Sequence, residues 1–391
     1  MALDLLARAW SDADLDAWRN AAARFIEGEM LPHDEAARHR GHVGVELWRR
    51  CGELGFLCAD IPEAYGGAGG DFRHEAVFYE EMARRGLTGL AASVHTIVAH
   101  YLLNHGTEDQ KRRWLPRMAR GELVGAIAMT EPGAGSDLQA IRTRAERDER
   151  AGRPGYRIHG SKTFITNGFL AGLVLVVCKT DPARGAKGTS ILVVETRDGE
   201  APREGYRVGR VLDKIGMKAQ DTSELFFDDV FVPEDALLGG REGQGFYQLM
   251  SDLPYERLII GVLALAAMEG AYAQTLAYVR EREVFGQPLA TMQHTRFKLA
   301  EAATTIRVGR SFIDDCVARL VAGTLDTATA SMAKLWASEA QGKLIDECLQ
   351  LFGGYGYMTE YPIARMFTDA RVQRIYGGAN EVMKEVIARS L

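Results

Sequence analysis

Eight consecutive residues, Thr130-Glu131-Pro132-Gly133-Ala134-Gly135-Ser136-Asp137, carry the densest chemistry in this chain. Hydroxyls at Thr130 and Ser136 flank two glycines, and glycine lets a backbone approach a ligand closely. Exposed N–H groups in such a loop cradle a phosphate or the polar edge of a ring. Alone, a Gly-rich turn after the apolar segment Val124 to Met129 is ordinary turn chemistry. A second candidate is Glu256, in Asp252-Leu253-Pro254-Tyr255-Glu256-Arg257-Leu258, where a long helical stretch begins. Its bland explanation is that an acid interacts well with the helix dipole there. Its chemical explanation is that a carboxylate serves as a general base. The dipole lowers its pKa and desolvation raises it, and the sequence does not say which wins. His95, His100 and His105 recur every five residues. That spacing does not stack on one helical face, so no metal site is expected of them.

Other segments change the weight of these candidates. Lys162-Thr163-Phe164-Ile165-Thr166-Asn167-Gly168, Arg282-Glu283-Val284-Phe285-Gly286, Gln350 to Tyr357 (QLFGGYGY) and Asp369-Ala370-Arg371 to Asn380 follow the loop in order. Together with it they resemble the acyl-CoA dehydrogenase family over essentially the whole chain, the long-chain branch above all. The resemblance implies FAD as cofactor. It puts Met129 and Thr130 at the flavin ring edge, Ser136 at the pyrophosphate, Phe164 against the ring and Thr166 near N5. The commoner residue at Phe164 is tryptophan, so only the stacking role carries over. Arg282 and Phe285 would serve the phosphates and the adenine or ribose of a neighbouring subunit's flavin, and Gln350 and Gly354 its adenylate. Gln293, Ala379 and Glu381 are further expected cofactor contacts, with Glu381 also opening the final helix.

The family forms a trans double bond beside a thioester carbonyl, with a carboxylate taking the α proton and flavin N5 the β hydride. Many members carry that glutamate directly after the tyrosine of the C-terminal motif, which here reads Tyr376-Gly377-Gly378-Ala379-Asn380. Gly377 cannot act as a base. The isovaleryl and long-chain branches combine glycine at that point with Glu-Arg at the start of the long helix. Both changes occur here together, and this assigns Glu256 as the base. The resemblance also puts the Gly377 N–H on the thioester oxygen, where a donor stabilises the developing enolate. Ser136, Tyr255, Arg257 and Tyr376 are expected substrate contacts. Glu131 and Glu360 are expected in turn or helix-start roles. Small residues at Gly89, Ala91 and Ala92 and the Pro254-Tyr255 turn lean toward a long acyl chain. Branched or terpenoid acyl groups share the base position and stay open, as do an oxidase and a non-catalytic flavin or acyl-CoA binder. Electron-transfer flavoprotein as acceptor and a homotetramer complete what the resemblance implies.

The totals bound the rest. At 391 residues the chain exceeds one typical core. A net charge of −6 argues against a general nucleic-acid binder. The 5 cysteines are odd in number and show no CxxC spacing, which fits reduced thiols in a cytosolic or matrix compartment. Met1 to Trp10 shows no basic region ahead of its apolar residues, so neither a secretory signal nor a transit peptide is expected. The run Leu258 to Met268 is shorter than the ~20 residues of a membrane span.

Periodicity divides the chain in three: a helical domain over 1–123, an antiparallel β domain over 124–240 and a helical bundle over 241–391. Leu15, Trp18, Ala22, Phe25 and Ile26 recur at helix spacing, closed by Pro32. Helices follow at 45–54, 72–85 and 90–104. Residues 156–160, 173–179, 191–195, 225–227 and 230–232 read as strands between turn-rich breaks. Then come helices at 255–282, 293–322 and 327–351, the first about 40 Å long. Long helices of this kind pair antiparallel in a four-helix bundle.

Overall fold

A computed structural model describes residues 8–391. Its first third is helical: α1 (Ala13–Phe25), α2 (Asp34–Arg40), α3 (Val45–Glu53), α4 (Phe72–Arg84), α5 (Ala92–His105) and α6 (Glu108–Ala119). Pro32 does not end the first helical path. The chain passes from α1 through a π turn and a 3₁₀ turn that contains Pro32, and leaves the helix only at Gly41. A proline in the first turn of a new segment costs no hydrogen bond, which is why it is tolerated there.

The middle third is a sheet of seven strands: β1 (Gly125–Ala128), β2 (Arg144–Arg150), β3 (Arg153–Thr166), β4 (Leu173–Lys179), β5 (Thr189–Glu195), then, past the two-residue pair β6 (Arg197–Asp198) and β7 (Ala201–Pro202), β8 (Tyr206–Val211) and β9 (Thr222–Pro233). Pairing is mainly antiparallel, but β1 and β2 meet β4 in parallel. The β2–β3 hairpin intervenes between β1 and β4, a long enough excursion to bring the chain back in the same direction. Residues 225–227 and 230–232 belong to one strand, β9, bent at Asp229, whose φ is 57°. β4 is buried on both faces, with Leu173, Leu175 and Val177 in one apolar cluster and Val174, Val176 and Cys178 in another. That explains its unbroken apolar run.

The last third holds α7 (Gly245–Ser251), α8 (Leu253–Glu281), the hairpin β10 (Glu283–Val284) and β11 (Gln287–Pro288), α9 (Gln293–Val321), α10 (Thr327–Phe352), α11 (Pro362–Ala370) and α12 (Asn380–Ala388). α8 packs on α10, α9 and α4, so it is apolar all round rather than on one stripe. By length and composition α8 is apolar enough to cross a membrane, yet 72% of its most apolar window is buried inside the protein. Gly270 makes its contact with α4 possible, because a Cβ there would lie 2.0 Å from the Arg84 carbonyl oxygen.

A buried ion-pair network crosses the same contact. Arg310 on α9 reaches Glu80 on α4 at 2.6 Å, Asp314 at 3.3 Å and Glu269 on α8. Arg84 donates to Glu269 at 2.8 Å and to Glu80 at 3.2 Å. This network ties the N-terminal helices to the bundle. All five cysteines are buried and free.

Candidate active site

The loop after β1 is organised by Glu131. Its carboxylate accepts from the backbone N–H of Arg142 at 2.6 Å and of Thr143 at 2.9 Å, and from Lys162 Nζ at 2.9 Å. Lys162 also donates to the Met129 carbonyl at 2.9 Å. Glu131 is thus a structural knot, consistent with a turn role. Thr163 N–H bonds the Thr130 carbonyl at 2.9 Å, joining the loop to the end of β3. Around the knot Ser136 is exposed, Met129 and Thr130 are half-buried, and nothing lies within 4 Å of where a Cβ on Gly133 or Gly135 would sit.

β3 and β9 slip register between Lys162 and Ile165. A bulge re-aims a side chain, and here it aims Phe164, which has φ 60° and 67% exposure. Asn167 anchors the far side, donating to the Gly125 carbonyl at 3.1 Å and the Ala91 carbonyl at 3.3 Å. An outward aromatic held by strained backbone, the Thr166 hydroxyl beside it and an open loop fit the face and edge of a flavin.

Glu256 lies in the first turn of α8, half-buried, and accepts a hydrogen bond from the buried Tyr101 hydroxyl at 2.8 Å. Burial drives its pKa up from 4.5 to about 7; Asp252 adds to this, while the Tyr101 bond and Arg257 oppose it. Desolvation therefore outweighs the Tyr101 bond and the Arg257 charge. A carboxyl titrating there is suited to work as a base. Gly377, just before α12, packs on Ile260, the α8 residue one turn after Glu256: with φ 61°, a Cβ on it would stand 2.3 Å from Ile260 Cδ1. An L-residue is strained in that left-handed region, so backbone and packing both favour glycine here. Lys334 on α10 fixes this segment, donating to the Gly378 carbonyl and to Asn380 Oδ1, both at 2.7 Å.

Some expected site residues sit elsewhere. Tyr255 is buried against Phe72 and His100, and its hydroxyl donates to Asp60 Oδ2 at 2.8 Å. Arg257 is buried and donates to Ser331 at 2.9 Å, in the α8–α10 contact. Successive helical residues point about 100° apart, so with Glu256 facing Tyr101 its two neighbours turn into the core. Gly89 does not open space for an acyl chain: a Cβ there would meet Ala219 and Val43 at 2.9 Å. Tyr376 is half-buried beside Gly377, and Ala379 and the exposed Glu381 flank the start of α12.

Arg282, Phe285, Gln293, Gln350 and Gly354 gather at the opposite end of the bundle and are exposed, Phe285 at 96%. The Arg282 guanidinium stacks over Tyr355, 5.7 Å from the ring centre. Along α8 this group stands roughly 39 Å from Glu256. One chain cannot bring both ends of α8 to one ligand edge.

The histidines act separately. His95 is buried between the Gly125 N–H and the Met118 carbonyl, and burial takes it down to about 4. His100 pairs with Asp60 at 2.9 Å and His105 with Asp252 at 2.7 Å. Tyr101 is the site residue that sequence reasoning missed. The signal available was a group of polar residues, His100, Tyr101, Asn104 and His105, in the second half of a helix with no Asp, Glu, Lys or Arg.

Three family models match in sequence: the acyl-CoA dehydrogenase N-terminal domain over residues 12–122, the middle domain over 126–230 and the C-terminal domain over 243–391. The chain is 47% identical to the mitochondrial long-chain specific acyl-CoA dehydrogenase of Rattus norvegicus, over 96% of this chain and 86% of that protein. A crystal structure of an acyl-CoA dehydrogenase from Geobacillus kaustophilus superposes with a TM-score of 0.93 at 43% identity, covering 98% of this chain and 99% of that one. A glutaryl-CoA dehydrogenase from Mycobacterium smegmatis, crystallised with FADH2, superposes with a TM-score of 0.88 at 28% identity, covering 97% and 95%. The chain belongs to the acyl-CoA dehydrogenase family.

Proposed function

We propose that this chain oxidises long-chain acyl-CoA to the trans-2-enoyl-CoA with FAD, as a step of fatty acid β-oxidation. The observation that carries this is Glu256, a desolvated carboxyl with its pKa raised to about 7, one helical turn before Ile260, against which Gly377 packs. Glu256 takes the α proton. The Gly377 N–H donates to the thioester oxygen and holds the enolate charge that develops there. Phe164, Thr166, Met129, Thr130 and Ser136 orient the cofactor, and Tyr376 walls the acyl group. Bound FAD supplies the two-electron acceptor for the β hydride. The long-chain preference draws on the 47% identical rat relative.

A second copy of the chain completes the site, because Arg282, Phe285, Gln293, Gln350 and Gly354 are exposed and far from their own Glu256. A homotetramer with electron-transfer flavoprotein as acceptor follows from the family resemblance, and a cytoplasmic location from cysteines without CxxC spacing. Anaerobic mixing of FAD-loaded protein with short, long and branched acyl-CoAs tests the reading by flavin bleaching. Long-chain substrates are expected to bleach fastest. Fastest bleaching by isovaleryl-CoA would make it a branched-chain enzyme, and none with any acyl-CoA would make it a non-catalytic binder.

A further inference from the structure

The second half of α5 faces the start of α8 with a row of polar side chains. His100 Nε2 lies 2.9 Å from Asp60 Oδ2, which also accepts from Tyr255. Tyr101 donates to Glu256 Oε1 at 2.8 Å. Asn104 donates to Asp252 Oδ1 at 2.6 Å, and His105 Nε2 lies 2.7 Å from Asp252 Oδ2. Every α8 partner in this row falls within the helix's first turn or at its cap.

We propose that Tyr101 is a positioning residue for Glu256: its phenol fixes the carboxylate rotamer and favours the ionised form that removes the substrate proton. The inference rests on the reading of Glu256 as base. A glutamate side chain rotates about three bonds, and one fixed donor on Oε1 leaves Oε2 to receive the proton. Tyr101 is buried, so its hydroxyl requires a partner, and packing alone would be met by phenylalanine. Burial, reinforced by the charges of Glu256 and Asp252, pushes the phenol well above its ordinary range. It therefore remains a donor at any working pH. A donor to a carboxylate favours the charged form. The other charges acting on Glu256 are Asp252 in the same turn, which repels it, and Arg257, which attracts it although its side chain turns into the α8–α10 contact. His105 and Asn104 from α5 act only through Asp252.

The test is the pH dependence of anaerobic flavin bleaching by the best acyl-CoA of the panel, in FAD-loaded Tyr101→Phe. The acid limb is expected to rise by about one pH unit, with a roughly tenfold slower reaction below it. Protein with 3-fluorotyrosine placed at position 101 keeps the shape and donates more strongly, so its limb should fall. This second protein decides the matter if the phenylalanine variant does not retain FAD. Limbs that stay where the unaltered protein has them would overturn the proposal, and so would uniform slowing at every pH, the mark of a purely structural role. Failure of the base reading is separate: it shows as undiminished bleaching in Glu256→Gln, whatever residue 101 does.

Discussion

Glu256→Gln is expected to slow flavin bleaching by acyl-CoA about 10³- to 10⁴-fold, with FAD and fold retained. General-base catalysis contributes about 10² to 10⁴ in rate, and an α C–H is a weak enough acid to need the upper end. Glutamine keeps the shape and still accepts the Tyr101 bond, so the loss is chemical rather than structural. The unaltered enzyme should show an acid limb near pH 7, because the base works only when ionised and its pKa is raised to about 7. Below that limb the rate falls tenfold per pH unit. Stopped-flow reduction at several pH values measures both. A variant that bleaches within tenfold of the parent would remove Glu256 from the mechanism.

Arg310→Ala should destabilise the fold by about 3–5 kcal/mol, because it strips the cation from Glu80, Glu269 and Asp314 while they stay buried. Burial pushes Glu80 up, but Arg310, Arg8 and Arg84 overcome it and hold the carboxyl well below the usual range. Because this folded-state pKa lies below the unfolded value, the stabilisation is complete above the ordinary carboxylate range and fades as pH falls below it. The variant's deficit should therefore be largest near neutrality and shrink in acid. Thermal unfolding with excess FAD reads it as a Tm lower by roughly 5–10 °C. A shift under about 2 °C would mean that water or a rearranged Arg84 replaces the lost cation.

Much of this architecture was legible because period and burial coincide. α9 and α10 alternate faces at helical spacing, and β4 announces burial on both sides by its unbroken apolar run. α6 escaped because it is polar and carries Pro116 inside, although its Thr107/Gln110 capping box was present in the sequence. Splitting β9 in two came from Asp228 and Asp229, which read as a turn and prove to be a bend within one strand. At the site, motif order pointed to Glu256 and Gly377. Their proximity is a matter of a loop docking on α8 some 120 residues later, held by Lys334, and no local pattern encodes that. The pairing of Tyr101 with Glu256 was hidden for the same reason, since 155 positions separate it from the carboxylate it holds. Tyr255 and Arg257 flank Glu256 in sequence but point to Asp60 and Ser331, since a helix turns consecutive side chains away from each other.

The length of α8 also has a genetic meaning. If its two ends serve different flavins, a chain altered at Glu256 and a chain altered at Arg282 carry non-overlapping lesions. In a mixed pair, one site receives both defects, while the other draws a sound Glu256 from one chain and a sound Arg282 from the other. Co-expressed, the two inactive proteins should complement to about half of normal turnover per mixed pair, with neither able to do so alone. Two loss-of-function alleles of such a gene need not add up to a null.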